Sequence, residues 1–352
     1  MKILHIAPQN TAGMPMDFVK MHRSAGHTSN LITIFKNTLD FEEDISIGLS
    51  LPSGKFARGW RNKKMLSSEP EKLKYISSKN LAEDYFFRIR DKFNKKKINS
   101  IIEKHDLFNY DIYHFDGGVD LFRDVSFAKE LKKRGKKIVC CYFGSDLRTR
   151  GIFKELDDIS DLNLTVEFDH LKLYEGIKYL YFPFDVKAYK FRKPPEGKFK
   201  IIHSPTNRAF KGTDKIIPVM EKLCNSSDVE FLLKENMHRD ELLKIKRSCT
   251  LAIDQVGGEM GGSGYGKNSI ENLSIGIPTS TEFSKDYLIF IKDNPFICST
   301  IESLYTDMLK LVEDRTKINE LSVSGREWVE KYHSFSSVNE RLNSYYIEAG
   351  IY

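Results

Sequence analysis

The sequence predicts an α/β protein with two Rossmann-like, doubly wound domains facing a cleft. Two observations carry that prediction. Short apolar runs alternate with helix-like segments along the whole chain, and such alternation implies parallel sheets covered by helices. The chain has 352 residues, room for two ordinary domains, and 40% of them are hydrophobic, enough for a core in each.

Each element has its own signal. In the first half KILHIA, SNLITI, DIYHF and KKIVCCYF read as strands. Met14 to Ala25 reads as a helix closed by Gly26, and Val125 to Arg134 as one closed by Gly135. In the second half KFKIIHS, VEFLL and CTLAID read as strands. Between them lie helices from Asp214 to Leu223 and from Arg239 to Arg247. Pro218 predicts a late start or a kink in the first of these. Gly325 to Tyr346 reads as two helices. The seam is expected in Phe182 to Lys198, where Pro194, Pro195 and Gly197 mark a linker. The expected organisation is 1–190, 191–325 and C-terminal helices in 326–352, with a basic polar insertion at about 41–99.

Bulk properties exclude several classes. No run approaches the ~20 apolar residues of a membrane span. MKILHIAPQN has too short an apolar stretch for a secretory signal and reads as a first strand. The five cysteines, Cys140, Cys141, Cys224, Cys249 and Cys298, have no metal-like spacing and suit free thiols in a reducing cytoplasm. The net charge is +6, but between Leu51 and Ser100 there are 14 Lys and Arg against 5 Asp and Glu. Phe56, Trp60, Phe86, Phe87 and Phe93 are set among those charges. Such interleaving suits an anionic membrane surface or an anionic acceptor. It equally suits a solvated basic helix face whose aromatics sit in the core. No recognition motif supports nucleic acid.

The most informative stretch is GGSGYGKNSIENLSIGIPT, Gly261 to Thr279. It reads as a glycine loop, a helix starting near Lys267, and a strand. Gly264 and Gly266 let the backbone turn sharply and approach a ligand. The N–H groups and positive dipole end of the helix face that loop. Glu271 lies about one turn further in, within reach of a polar ligand group, and Gly276 stops the helix. Asn268 reads as a helix cap or a ligand group. A second patch, IIHSPTNRAFKGTD, Ile201 to Asp214, runs from a strand into a loop carrying Arg208, Lys211 and Gly212. Two cations on such a loop suit a diphosphate clamp.

Together the two patches resemble the C-terminal half of family-4 glycosyltransferases of the GT-B fold. That family has an Arg…Lys-Gly pair after one strand and a Glu-Gly-Phe-Gly-x4-Glu loop further on. Here the loop reads Ser263-Gly264-Tyr265-Gly266-x4-Glu271. The resemblance gives Arg208 and Lys211 the diphosphate, Glu271 the ribose hydroxyls, and Ser263 to Asn268 the sugar and phosphates. Ser263 replaces the family's first Glu. Either the sugar is held differently, or Glu259 substitutes, or activity is weak. In the resembled fold the last helix crosses back to the N-terminal domain.

Ligands of open α/β sheets sit beyond the carboxyl ends of strands. On that rule His114 and Asp116, ending one strand, and Asp146 and Arg148, after the next, are the candidates of the first domain. His114 and Asp116 are assigned to catalysis, Asp146 to the donor; a structural role for His114 stands beside this. His5 and His203 also end strands. GYGKNS imitates a dinucleotide fingerprint, with Glu282 as the ribose acid, but it follows its strand too distantly and sits deep in the second domain.

The resemblance thus implies a retaining hexosyltransferase that takes a UDP- or GDP-sugar and serves a glycan or lipid-linked saccharide in polysaccharide biosynthesis. A sugar-nucleotide-binding or scaffolding protein without transfer is the alternative. The expected location is cytoplasmic, free or at the inner face of the membrane. No cofactor is expected, and no metal: no ligand spacing is present, and the Asp-x-Asp motif of metal-dependent transferases is absent.

Overall fold

The structure is a computed structural model that describes residues 1–37, 41–50, 73, 75, 81–144, 146–258 and 264–352. Glu259, Ser263, Phe56, Trp60, Arg61, Lys63 and Lys64, and the side chains of Phe86 and Phe87, lie outside the described residues. The chain divides into two compact units, Met1–Pro183 with Phe335–Tyr352, and Phe184–Ser334.

Among the described residues the first unit is built on seven parallel strands: β1 (Lys2–Ala7), β2 (Thr28–Phe35), β3 (Ile45–Leu49), β4 (Ile112–Asp116), β5 (Lys137–Tyr142), β6 (Leu162–Thr165) and β7 (Lys178–Tyr179). Their order across the sheet is β3-β2-β1-β4-β5-β6-β7. The central strands are buried on both faces, which is why they read as unbroken apolar runs. Leu4, Ile6, Ile32, Phe115 and Ile138 form the core with residues of the covering helices. These include α1 (Met14–Ser24), α2 (Leu81–Lys104) and α3 (Ser126–Lys133). The glycine stops work as the sequence implies. Gly26 and Gly135 take positive φ, and the next residue donates back five positions, His27 to His22 and Lys136 to Leu131, at 3.0 Å each.

The span 41–99 needs correcting. It reads as an insertion, yet it supplies the edge strand β3, paired with β2, and most of α2. Ile98 and Ile102 of α2 are core residues.

Among the described residues the second unit has five parallel strands: β8 (Phe199–His203), β9 (Val229–Leu233), β10 (Leu251–Ile253), β11 (Thr279–Thr281) and β12 (Ile297–Cys298). Their order is β12-β11-β10-β8-β9. The covering helices include α4 (Thr213–Ser226), α5 (Arg239–Lys246), α6 (Lys267–Ile275), α7 (Ile301–Glu313) and α8 (Arg315–His333). Phe199, Ile201, Ile216, Met220 and Leu304 fill one side of the sheet, and Ile202, Ile275 and Ile277 the other. Helix α4 starts at Thr213 and runs on through Pro218, so the late start does not occur. The proline has no N–H to donate to Asp214 O, so the helix forgoes that one bond near its start. Helix α6 ends at Gly276, φ 91°, and Ile277 donates back to Asn272 at 2.9 Å.

Ser334 ends α8 in extended backbone. Helix α9 (Phe335–Glu348) then belongs to the first unit, packing on α1 and burying Tyr346. Among the described residues no helix is long and apolar enough to cross a membrane.

Candidate functional site

In the second sheet β9 lies on one side of β8 and β10 on the other. The order reverses between β8 and β10, and ligands of open α/β sheets bind beyond the strand ends at such a point. Both sequence patches lead out of this crevice. The short helical turn Arg208–Lys211 follows β8, and the loop before α6 follows β10.

Asp254, the residue after β10, ties the two patches together. Lys211 Nζ donates to its Oδ1 at 2.7 Å, Asn268 Nδ2 to the same atom at 2.9 Å, and the Ser269 hydroxyl to Oδ2. The Asp254 side chain is 1% exposed. Burial pushes its pKa up, but the Lys211 charge and the hydrogen bonds from Lys211, Ser269 and Asn268 outweigh burial and hold it at about 2. Lys211 also donates to Gln255 Oε1 at 3.2 Å, and its ammonium is 4.0 Å from where a Cβ on Gly266 would stand. Gly266 precedes α6 and offers it no side-chain cap. A cation thus lies beside a helix N-terminus, a combination that attracts anions.

Glu271 is anchored as firmly. Its Oε1 accepts from Lys246 Nζ at 2.7 Å; its Oε2 accepts from Arg239 at 3.0 Å and from the Tyr189 hydroxyl at 3.2 Å. Burial favours the neutral acid, yet the Lys246 charge, then Arg239, holds the carboxyl below its ordinary range. An ionised carboxylate has about four acceptor positions, so one remains for a ligand hydroxyl. Lys246, its side chain 1% exposed, also donates to Asn268 Oδ1 at 2.6 Å.

The remaining predicted residues divide. Asn268 has both ends of its amide engaged, on Asp254 and Lys246, and acts as a bridge between the anchors. Arg208 shares a turn with Lys211 but faces other carboxylates, Asp214 at 3.0 Å and Glu235 at 2.7 Å. Gly264 takes φ 130°, and a Cβ there would stand 2.4 Å from the Tyr287 ring, so packing as well as backbone freedom demands glycine. Tyr265 donates to or accepts from His333 Nε2 at 2.9 Å and stacks on Phe296. Its ring belongs to an aromatic cluster with Tyr287 and Trp328. Lys267 opens α6 and is half-buried. His203 joins Ile253 O and the Thr213 hydroxyl, a structural tie between β8, β10 and α4. Asp254, Lys246 and Arg239 were missed by sequence reasoning. Asp254 had a signal, an acid directly after a strand at the switch point, and the two cations had none.

In the first unit the placement of His114 and Asp116 is corrected. Both are sealed in the interior, 0% and 1% exposed. His114 stacks on His5 and meets the Tyr346 hydroxyl, while Asp116 accepts from His5 Nδ1 at 3.0 Å. His114 sits two residues before the strand end, so it points into the packed layers. Asp146 opens a single π-helical turn, Asp146–Arg150, where it accepts from Phe143 N and pairs with Arg150 at 3.0 Å. Arg148 is held by Glu167 and Asp169.

The chain matches no protein-family model and no curated protein. Solved structures do match. Sucrose-phosphate synthase from Thermosynechococcus elongatus superposes with TM-score 0.58 at 11% identity, over 99% of this chain and 98% of that one. A TarM variant of S. aureus, in complex with fondaparinux, α-GlcNAc-glycerol and UDP, gives 0.58 at 12%, over 98% and 100%. The N-terminal domain of Candida albicans trehalose-6-phosphate phosphatase gives 0.61 at 10%, over 99% and 97%. The chain therefore has the GT-B fold of two Rossmann-like α/β domains.

Proposed function

We propose that the chain is a retaining glycosyltransferase that moves a sugar from a UDP- or GDP-sugar to a glycan or lipid-linked saccharide. One observation carries the reading: Lys211 and the N-terminus of α6 meet on Asp254 at the switch point of the second sheet. The charge growing on a departing diphosphate would meet Lys211, Arg208 and the helix N-terminus. Glu271 would accept from the ribose hydroxyls. The UDP complex of the TarM variant supports the donor class. No protein nucleophile is required. His114 and Asp116 are assigned no contact with the reacting atoms.

A sugar-nucleotide-binding protein without transfer is the second reading. Ser263 in place of the family's first Glu favours it, as does a neighbour named for the N-terminal domain of a phosphatase. A thermal-shift screen of UDP-, GDP-, CMP- and dTDP-sugars tests the shared part, since a ligand of the native state raises the midpoint. Hydrolysis of the stabilising sugar nucleotide separates the two readings. No shift with any of them sinks both.

Glu271→Gln is expected to weaken nucleotide binding and to lower stability by ~1–3 kcal/mol, because Lys246 stays buried opposite a neutral amide. Calorimetric titration and melting measure the two effects. Unchanged nucleotide affinity would leave Glu271 as an ion-pair anchor alone. Adding EDTA to the assay is expected to leave turnover unchanged. Loss restored by manganese or magnesium would contradict a donor site built from Lys211, Arg208 and a helix N-terminus.

The acceptor side carries a further prediction. Phe93 of α2 is 82% exposed, among exposed Lys92, Lys95 and Lys96. An aromatic outside the core on a basic face fits docking to an anionic lipid surface, where each charge contributes ~1 kcal/mol. Liposome binding should require anionic lipid and weaken with salt. Replacing Arg61, Lys63, Lys64, Lys95, Lys96 and Lys97 by Gln should abolish it and spare donor binding. No liposome binding at any salt would assign the basic face to a soluble anionic saccharide.

A further inference from the structure

Strands β1 and β4 pair in parallel with His5 opposite His114, and α1 lays His22 across both. The ring centroids of His5 and His114 are 4.4 Å apart, and His22 lies 5.3 Å and 5.6 Å from them. None of the three is more than 1% exposed. Each nevertheless has a ring nitrogen with no hydrogen-bond partner among the described residues: His5 Nε2, His114 Nδ1 and both nitrogens of His22. Buried polar atoms are nearly always paired, because an unpaired one forfeits its bond to water. Four such atoms in one place need a partner that apolar packing does not supply.

The nitrogens that do have partners supply the second observation. His5 Nδ1 is held by Asp116 Oδ2 at 3.0 Å, and His114 Nε2 by the Tyr346 hydroxyl. Metal-binding histidines are commonly fixed this way, one nitrogen tied to a carboxylate or oxygen and the other aimed at the ion. Asp116 Oδ1 is itself unpartnered, and the one ion-pair partner of Asp116 among the described residues is His5. A cation bound to His5 would offset that buried carboxylate through the imidazole.

We propose that His5, His22 and His114 together hold one divalent transition-metal ion, best suited to zinc, with its fourth position taken by water. One nitrogen of each ring already lies within 4.8 Å of the others. Zinc–nitrogen bonds of about 2.0–2.1 Å in a tetrahedron set the nitrogens roughly 3.4 Å apart, which ring rotations of about an ångström provide. The expectation of no metal rested on spacing in the sequence, whereas these ligands come from three separate elements. The site lies in the first unit, on β1, β4 and α1, and shares no residue with Lys211, Arg208 and Glu271. The ion would tie α1 to the central strands and, through Tyr346, to α9. A sealed site of this kind loads as the chain folds.

Elemental analysis of protein expressed with added zinc, after gel filtration, tests the proposal. The expected result is about one zinc per chain, falling below roughly a tenth in His22→Ala and staying near one in His27→Gln, whose ring lies beside the group but is half-exposed. Wild type refolded with cobalt(II) should show the visible d–d bands of tetrahedral nitrogen coordination, and this readout needs no variant to fold. Zinc retained by His22→Ala at the wild-type level would assign the metal to other histidines and overturn the proposal. A wild type that holds no zinc and shows no cobalt bands would overturn it too, leaving the three rings as a packed cluster around water.

Discussion

Arg208→Ala is expected to cut donor affinity or turnover by roughly two orders of magnitude, since a lost charge-assisted contact in a closed site costs ~2–4 kcal/mol. Its stability should change little, because the present partners of Arg208 form surface ion pairs. The Arg208 side chain is 41% exposed in those pairs. Lys211→Ala should lose donor binding to the same extent and be less stable by ~3 kcal/mol, because it strands a buried carboxylate without its cation. Its acid unfolding should also move to higher pH. Asp254 is held at about 2, so it contributes stability above its ordinary 3.8 that is lost as pH falls through the folded value. Removing Lys211 raises the folded value and narrows that window. Donor kinetics with denaturant and pH titrations separate the two variants. Wild-type kinetics in both would remove the clamp, and wild-type stability in Lys211→Ala would remove the Asp254 ion pair.

The fold was legible because its central strands are buried on both faces and α1, α3 and α6 are stopped by Gly26, Gly135 and Gly276. Elements without those marks were not legible. β3, ISIGL, is hidden by the basic residues after it, and β6, LNLT, alternates too weakly to separate from a loop. β7 and β12 have two residues each, too few for any period. At the donor site, glycine and charge marked the two loops, but not what anchors them. Lys246 stands among Lys244, Arg247 and other basic residues, and nothing local tells which of them is buried. Asn268 and Tyr265 were expected to face a ligand. A loop pattern fixes where the backbone goes, not whether a side chain turns back onto its own unit. His5, His22 and His114 show the same limit more strongly. They are far apart in sequence, and register and helix packing alone bring them together.

Gly212→Ala is expected to destabilise the protein by more than ~4 kcal/mol, a loss reserved for severe backbone conflicts. Gly212 takes φ 67° between the turn Arg208–Lys211 and α4. A Cβ there would stand 1.9 Å from Val256 O, 2.8 Å from Val256 C and 2.9 Å from Gly257 C. All three are backbone atoms, so no side-chain rotation relieves the overlap. The 255–258 segment would have to move, and it follows directly on Asp254 and includes Gln255, the two residues that receive Lys211. Donor binding should therefore fall together with stability. Gly266→Ala is the control. It lies in the same site, but its φ of −129° suits any residue, and its nearest contact is the mobile Lys211 ammonium at 4.0 Å. Its stability should change by no more than ~1 kcal/mol. If Gly212→Ala melts with the wild type, the close approach of the two loops is wrong. Lys211 would then not be held against Asp254 by the backbone around it.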